Sequence, residues 1–391
     1  MKVIDLAEFF SERGGGVRAY LTQLLREGAE RGHAVTVVAP GPRDESQTDG
    51  LARLIRLAGP PMPYDPSYHA LTQWKTARAL VRRERPDVLQ ASSPWIAAPL
   101  AASIPDIPLR VLVLHSDPVG TYARPVLSRS LGDRGAVAAL ALPYRALAAV
   151  AARFDATVVS GRWLGDRLTA VGIPRVRVVP FGVDRRGLGP ENADRATRRE
   201  LMGALAERPG ASLVVIAGRL AVEKRVGYAL DVISELQRSR PVAVAVVGDG
   251  PERARLEARA EALGLCATFT GFGRDRARYA RLLASADALL HACAVETFGF
   301  TVAEALASGV AVVTPDEGGA AEFVRPGAGE RFSAYGRAVD AAVAVDRLLD
   351  QPPDVRRAAA LAASREVPDA ARHFDDLFAL YDSMLAEKGA A

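Results

Sequence analysis

Two glutamates, Glu296 and Glu304, stand eight residues apart around a short turn, and their type and spacing suit chemistry on a sugar. An ionised carboxylate only accepts hydrogen bonds, which matches the hydroxyl groups of a sugar. Between them, Gly299 lets the backbone come close to a ligand, and the N–H groups of Phe300 and Thr301 would open a helix and attract a phosphate. A phosphate held between two sugar-binding carboxylates describes a nucleotide sugar.

The flanking apolar runs indicate which elements must position these residues. Residues 284–293 and 310–315 are apolar enough to be buried strands, and the stretch between them is typical of a helix. The block therefore predicts one βαβ unit, with Glu296 in the loop before the helix and Glu304 about two turns inside it. Each carboxylate would then reach a different part of one elongated ligand. The alternative is an ordinary βαβ unit with two solvated glutamates.

Residues 295–319, VETFGFTVAEALASGVAVVTPDEGG, resemble the corresponding block of the retaining family-4 glycosyltransferases, which have the GT-B fold. The resemblance implies that Glu296 contacts the transferred sugar and that Glu304 contacts the donor ribose. It also implies an α/β fold of two Rossmann-like domains that face each other across a cleft, with a C-terminal helix that crosses back to the first domain. The resemblance covers the whole chain, weakly in the N-terminal half and through specific motifs in the C-terminal half.

Two cations follow a predicted strand over residues 212–217. Arg219 and Lys224 are five residues apart in one loop, and they suit a diphosphate. The segment resembles the G-R-x-x-x-x-K motif of the same family, whose Arg and Lys hold the donor diphosphate. Their charge would stabilise the departing nucleotide without a metal ion. Family members often have Gly after this Lys, where the chain has Arg225; the alternative for the pair is two surface cations.

Two further loops are assigned to the base side of the donor by the resemblance. Gly248 and Asp249 follow the predicted strand 242–247, and Gly271 and Phe272 end the next strand. The first loop does not have the G-x-G-x-x-G spacing, so a dinucleotide fingerprint is not supported.

The N-terminal half opens with a strand, a glycine-rich loop and an amphipathic helix over residues 17–31. This order is typical of a doubly wound unit with a helix start that favours phosphate. The resemblance implies that Gly15 and Gly16 face the donor across the cleft. A plain flexible turn is the alternative.

His115 and Asp117 follow a predicted strand over residues 109–114, at the end where ligands bind in open α/β sheets. The resemblance implies that His115 lies close to the transferred sugar, where it could hydrogen-bond a hydroxyl or the transferring phosphate; domain closure would bring it there together with the glycine loop. A buried structural His is the alternative. Asp117 could orient the acceptor or cap the following helix.

Length and charge limit the classes of protein to which the chain can belong. Its 391 residues favour two domains, which we predict as an N-terminal acceptor domain over residues 1–182 and a donor domain over residues 183–368, followed by a helix over residues 369–391 that returns to the first domain. The net charge of +4 is compatible with anionic ligands or a membrane surface. Aromatic and basic residues do not alternate along the sequence in the way that is typical of RNA-binding proteins, so we expect no nucleic-acid partner.

The cysteines, the N-terminus and one Arg-rich segment indicate where the protein is located. The cysteines, Cys266 and Cys293, have no zinc spacing and form no disulfide framework, and the N-terminus has no signal-peptide pattern. We therefore expect a cytoplasmic protein. The Arg-rich segment 120–153 could lie on the cytoplasmic face of an anionic membrane as a peripheral contact, or it could be a solvated face.

These features together predict transfer of a hexose from a GDP- or UDP-linked donor to a glycan, lipid-linked or small-molecule acceptor in cell-envelope glycan synthesis, with retention of configuration. Mannose is favoured because similar chains in the family often use it; glucose and N-acetylglucosamine are the alternatives. No Asp-x-Asp motif stands at a strand end, so we expect no metal and no other cofactor. Glu296 could be a covalent nucleophile, but the resemblance favours front-side transfer. A nucleotide-sugar epimerase and a non-catalytic nucleotide-sugar binder stay open.

Overall fold

The computed structural model describes residues 1–11, 16–63, 65–271 and 275–390. Between residues 122 and 137 it describes the side chains of Ala123 and Leu127 only. The chain divides into two compact units, one formed by Met1–Gly182 with Ala370–Ala391 and the other by Val183–Asp369.

Strands and helices alternate along most of the chain. The strands are β1 Lys2–Leu6, β2 Ala34–Gly41, β3 Glu45–Asp49, β4 Ala52–Ala58, β5 Pro61–Met62, β6 Asp65–His69, β7 Val88–Ala91, β8 Leu109–Leu114, β9 Ala156–Val159, β10 Val176–Val178, β11 Ser212–Ala217, β12 Val242–Val247, β13 Cys266–Gly271, β14 Ala288–Leu290, β15 Ala311–Pro315 and β16 Gly329–Phe332. The α-helices are α1 Gly16–Glu30, α2 Trp74–Glu84, α3 Ala97–Ala102, α4 Gly120–Ala151, α5 Arg162–Ala170, α6 Arg195–Met202, α7 Val226–Leu236, α8 Arg253–Ala262, α9 Arg276–Ala284, α10 Phe300–Ala307, α11 Ala338–Asp350, α12 Pro353–Glu366 and α13 Ala370–Gly389.

The first unit is built on an eight-stranded sheet with the order β10-β9-β8-β7-β1-β2-β4-β3. Its strands are parallel except for β3, which pairs antiparallel with β4 at the edge. The central strands are continuous apolar runs because helices cover both faces of the sheet. The strand Leu109–Leu114 is buried almost throughout, in agreement with the sequence prediction.

Helix α13 packs within the first unit. Its buried face carries Phe374, Leu377 and Tyr381. The hydroxyl of Tyr381 donates to Gln90 Oε1 at 2.6 Å, and the ammonium of Lys388 pairs with a carboxylate on the first unit at 2.8 Å. A second ion pair joins Asp375 of α13 to Arg31 at 2.8 Å, so an apolar stripe, hydrogen bonds and ion pairs together hold the helix within the first unit.

The second unit is built on a parallel six-stranded sheet with the order β13-β12-β11-β14-β15-β16. The chain runs outward from β11 in one direction and then returns to place β14 on its other side. This reversal between β11 and β14 is the topological switch point of a doubly wound sheet, where ligands bind beyond the carboxyl ends of the strands.

Helix α4 carries the Arg-rich segment. It is 32 residues long. Leu142 and Arg145 are exposed on the helix, and Arg153 is exposed just past its end. Across the described part of the chain, no helix combines the length and the apolar character needed to cross a membrane.

Candidate active site

The second unit gathers several of the predicted donor residues at one edge of its sheet. Arg219 and Lys224 follow β11, and Glu296 follows β14. Because β11 and β14 are neighbours and run parallel, their exit loops lie side by side at the switch point. The sequence predicted each loop separately, and the topology brings them together.

Lys224 and Glu296 form an ion pair, with Nζ and Oε2 2.6 Å apart. Their side chains are 29% and 20% exposed, so water screens the pair only partly. Burial alone would raise the pKa of Glu296, but the charge of Lys224 outweighs it and the pKa is lowered. Burial likewise opposes the charge on Lys224, but Glu296 raises its pKa above the usual value. The site therefore holds an ionised carboxylate beside an ammonium group.

The next residue, Arg225, holds the loop that carries Lys224 in place through its side-chain contacts. Arg225 has a left-handed backbone, with φ 53°, which is the conformation that Gly adopts most easily. Its guanidinium donates to the carbonyl of Ala334 at 2.5 Å and lies over the ring of Tyr228, 4.5 Å from the centroid. The side chain thus compensates for the backbone strain that a family glycine would avoid.

The turn before α10 is shaped by Gly299, whose φ is 98°. A Cβ at this position would come within 2.9 Å of the Cβ of Ala320. The ring of Phe298 packs against Phe300 and Phe323 with centroids 4.9 and 5.0 Å away, which fixes the turn. The start of α10, with Phe300 and Thr301 in its first turn, therefore lies shortly after Glu296 in the chain. Its role as an anion site stays a prediction.

Glu304 is the fifth residue of α10, just over one turn from its start, so the predicted depth of two turns is wrong because the helix begins only at Phe300. The hydroxyl of Tyr279, on α9, donates to Glu304 Oε2 at 2.8 Å. Burial raises the pKa of Glu304. Tyr279 could not be found from the sequence, because it lies 25 residues away on another helix.

Arg219 is exposed at the carboxyl end of β11. The residues around it are tied to the exit of β12, since the N–H of Leu220 donates to the carbonyl of Asp249 at 2.9 Å. Gly248 has φ 146°, and a Cβ there would collide with the carbonyl of Gly218. Only glycine permits this close approach of the two loops.

The two loops predicted for the base side meet in the structure. The N–H of Gly248 donates to the carbonyl of Gly271 at 3.1 Å. Gly248, Asp249 and Gly271 therefore form one group at the ends of β12 and β13, whereas Phe272 lies outside the described residues.

His115, in the first unit, follows β8 and keeps part of its surface exposed. Its ring lies 4.7 Å from that of Tyr20 and 5.7 Å from that of Phe181, measured between centroids. Burial, followed by the nearby His373, lowers the pKa of His115 to about 3. The imidazole is therefore neutral near pH 7, so that it can share a hydrogen bond with a ligand but cannot supply a positive charge.

Asp117 acts as a cap for α4. Its Oδ1 accepts from the N–H groups of Val119 and Gly120 at 3.1 and 2.8 Å, and its Oδ2 accepts from the hydroxyl of Tyr144 at 2.6 Å and from Arg167 Nε at 2.7 Å. Of the two roles considered for Asp117, the structure shows the capping one.

In the glycine loop, Gly16 begins α1 with its surface exposed, and Gly15 lies outside the described residues.

Sequence reasoning missed two side chains beside Glu296. His291 Nε2 lies 3.8 Å from Glu296 Oε2. A ring nitrogen of His291, the Sγ of Cys293 and a carboxylate oxygen of Glu296 all lie within 4.8 Å of one another. These are metal-ligand types, but Lys224 already places a positive charge on the same carboxylate. Burial also raises the pKa of the Cys293 thiol to about 12, so the thiol is protonated near pH 7. Metal independence stays a prediction.

Comparisons with known proteins agree across the chain. A family model described as Glycosyltransferase Family 4 matches residues 14–186, and one described as Glycosyl transferases group 1 matches residues 197–365. The chain is 30% identical over 360 residues to a GDP-mannose-dependent alpha-(1-6)-phosphatidylinositol dimannoside mannosyltransferase of Mycobacterium tuberculosis, covering 91% of this chain and 90% of the relative. It is 31% identical to a GDP-mannose-dependent alpha-mannosyltransferase of the same species, covering 83% and 82%.

A solved structure has the same fold. Sucrose-phosphate synthase from Thermosynechococcus elongatus superposes with a TM-score of 0.79 at 18% identity, covering 99% of this chain and all of the other. The expected GT-B fold is thereby confirmed. On the family matches, the similarity to the mycobacterial relatives and this fold, the chain belongs to the family-4 glycosyltransferases and is a hexosyltransferase.

Proposed function

We propose that the second unit binds GDP-mannose and that the enzyme transfers the mannose, with retention and without a metal ion, to a lipid-linked or glycan acceptor. The Lys224–Glu296 pair at the switch point is the observation that carries this proposal. The pair places a cation beside a carboxylate that can accept a hydrogen bond from a sugar hydroxyl, and both lie next to the start of α10. The names of the two mycobacterial relatives support the choice of donor.

The described residues supply a group for each part of such a donor. Arg219, Lys224 and the first N–H groups of α10 suit the diphosphate, because each offers positive charge or an oriented donor. Glu296 suits a hydroxyl of the transferred sugar. Glu304, oriented by Tyr279, suits the ribose. Gly248, Asp249 and Gly271 form the base side.

The transfer itself needs no group beyond the donor, the acceptor and these residues. The acceptor oxygen bonds to the anomeric carbon on the face from which the diphosphate departs. The bond between that carbon and the phosphate oxygen breaks, and the leaving phosphate takes the acceptor proton. Lys224 and Arg219 stabilise the negative charge that develops on the diphosphate. The first unit is assigned the acceptor.

A lipid-linked acceptor agrees with the name of the first relative and with the composition of α4. Leu142 is 74% exposed, Arg145 is exposed on the same helix, and Arg153 is exposed just past its end. Such a surface suits peripheral contact with the anionic cytoplasmic face of a membrane. Sedimentation with phosphatidylglycerol vesicles at low salt, lost in high salt and in a Leu142→Ser/Arg145→Ser variant, would support this location.

The test of the function is product formation from GDP-mannose in the presence of EDTA, with and without vesicles that contain phosphatidylinositol mannosides. We expect an α-linked mannosyl lipid only when the acceptor is present. UDP-glucose and UDP-N-acetylglucosamine test the other donors. Isomerisation of the donor without acceptor would favour an epimerase, and tight binding without any product would favour a non-catalytic binder.

A further inference from the structure

His291 lies directly after β14 and five residues before Glu296. Its backbone N–H donates to the carbonyl of Val313 at 2.8 Å, so the position of the residue is fixed by the sheet. The side chain is only 7% exposed. Within the described part of the chain, its Nε2 is buried and has no hydrogen-bond partner. Buried polar atoms in native proteins nearly always have a partner, so this nitrogen is a candidate contact for a bound ligand.

The tautomer of His291 follows from its other contact. The ring hydrogen-bonds the backbone of Cys293, and this bond favours the protonated ring, as an N–H that donates to a carbonyl does. Burial nevertheless lowers the pKa of His291 to about 4, so the ring is neutral near pH 7. With the proton on the nitrogen that faces Cys293, Nε2 is a hydrogen-bond acceptor.

Nε2 and Glu296 Oε2 are therefore two acceptors at 3.8 Å, too far apart and of the wrong kind to bond each other. Lys224 supplies a donor to Glu296 but none to His291 within the described residues. A pair of neighbouring acceptors is satisfied by a pair of neighbouring donors. Adjacent hydroxyls on a hexose ring are such a pair.

We propose that His291 is a specificity-determining residue for the donor sugar: its Nε2 accepts a hydrogen bond from the hydroxyl next to the one that Glu296 binds. This inference rests on the proposed function, because it requires the transferred hexose to lie at Glu296. It adds a contact that would select sugars with two free adjacent hydroxyls in the correct orientation and would reject the corresponding deoxy sugar.

The test is a cycle that combines protein variants with donor analogues. Wild type, His291→Leu and His291→Gln would be measured for kcat/KM and Kd with GDP-mannose and its monodeoxy analogues. Leu removes the acceptor, whereas Gln offers an amide oxygen that can replace it. Cys293→Ser is the matched control, because it changes a neighbouring buried side chain without removing the imidazole. Thermal melting checks that each variant is folded.

We expect wild type to lose about tenfold in kcat/KM with one deoxy analogue, which corresponds to about 1.4 kcal/mol. His291→Leu should lose a similar factor with GDP-mannose and show no further loss with that analogue, while His291→Gln recovers part of the discrimination. Equal penalties in wild type and His291→Leu for every analogue would overturn the inference, as would a bound water as the only partner of Nε2 in a donor complex. If wild type does not bind GDP-mannose, the proposed function itself fails.

Discussion

At the scale of single residues, the proposed contact with the donor sugar depends on the charge state of Glu296. An ionised Glu296 is an acceptor for a sugar hydroxyl, and Lys224 keeps it ionised despite its burial. The two residues are 72 positions apart, so the sequence could assign each a role but could not reveal that they form a pair. Their coupling makes the pH dependence of the reaction a direct test.

The acid side of the pH profile should therefore depend on Lys224. In wild type the pKa of Glu296 is lowered from 4.5, so kcat/KM should fall only below about pH 4.5. In Lys224→Ala, the largest influence that opposes burial is lost, so this fall should move to higher pH, with kcat/KM at pH 7.5 reduced about 10²–10³-fold. Lys224→Arg keeps the charge and should keep the wild-type profile. An unchanged acid limb in Lys224→Ala would contradict the assignment.

Tyr279 should act on donor binding through Glu304. Tyr279→Phe removes one hydrogen bond to the carboxylate at 2.8 Å, which is typically worth about 0.5–1.5 kcal/mol. We expect the donor KM to rise by about 2- to 13-fold while kcat changes little, because the ribose is remote from the reacting bond. If the two residues act together, Tyr279→Phe should add little to the loss caused by Glu304→Gln. Additive losses would show that Tyr279 acts elsewhere.

At the scale of elements, the strand ends of the second unit determine where chemistry can occur. The continuous apolar runs of β11 and β12 could be predicted from the sequence to the residue, because buried parallel strands have this composition. The sequence predicts the run 284–293 as one strand, but only Ala288–Leu290 is strand, since α9 extends to Ala284 and β14 ends at Leu290. A hydrophobic run shows burial but does not show where a helix ends and a strand begins.

The turn at Gly299 gives an element-scale prediction with a matched control. Gly299→Ala places a side chain on a backbone with φ 98° and against Ala320, whereas Gly264→Ala has φ 64° with open space around it. Both changes should cost about 1–2 kcal/mol of stability from the left-handed backbone. Only Gly299→Ala should also weaken binding of GDP-mannose, by tenfold or more by calorimetry, because it displaces the start of α10. Equal affinities in the two variants would remove this turn from the donor site.

At the scale of the whole molecule, each unit has its own core and its own buried polar groups. In the first unit, Asp5 on β1 is fully buried and accepts from Ser92 Oγ at 2.7 Å and from Gln90, which in turn bonds Tyr381 of α13. This network joins the first strand to the last helix across nearly the full length of the chain. The sequence predicted that α13 belongs with the first unit, but the hydrogen bonds that attach it depend on tertiary packing and could not be predicted.

Asp5 should make the first unit less stable as the pH rises. Burial raises its pKa from 3.8 to about 7, so the native state binds this proton more tightly than the unfolded state does. The free energy of unfolding should therefore fall between about pH 4 and pH 7. Asp5→Asn, which resembles the protonated carboxyl, should match wild type near pH 4 and exceed it by a few kcal/mol, in order of magnitude, near pH 8. Parallel melting curves across this range would contradict the buried, neutral Asp5.

The central claim is that the switch point of the second unit holds the nucleotide diphosphate of the donor. The most direct measurement is thermal stabilisation of wild type by GDP, UDP, ADP and their sugar conjugates in EDTA. At about 100 times the Kd, the correct ligand should stabilise the protein by roughly 2.7 kcal/mol. We expect this shift with GDP and GDP-mannose, and we expect the Arg219→Ala/Lys224→Ala variant to lose it. Arg208→Ala should keep the shift, because Arg208 is an exposed cation that precedes β11, at the other end of that strand. An equal shift in the double variant, or none with any nucleotide in wild type, would contradict the central claim.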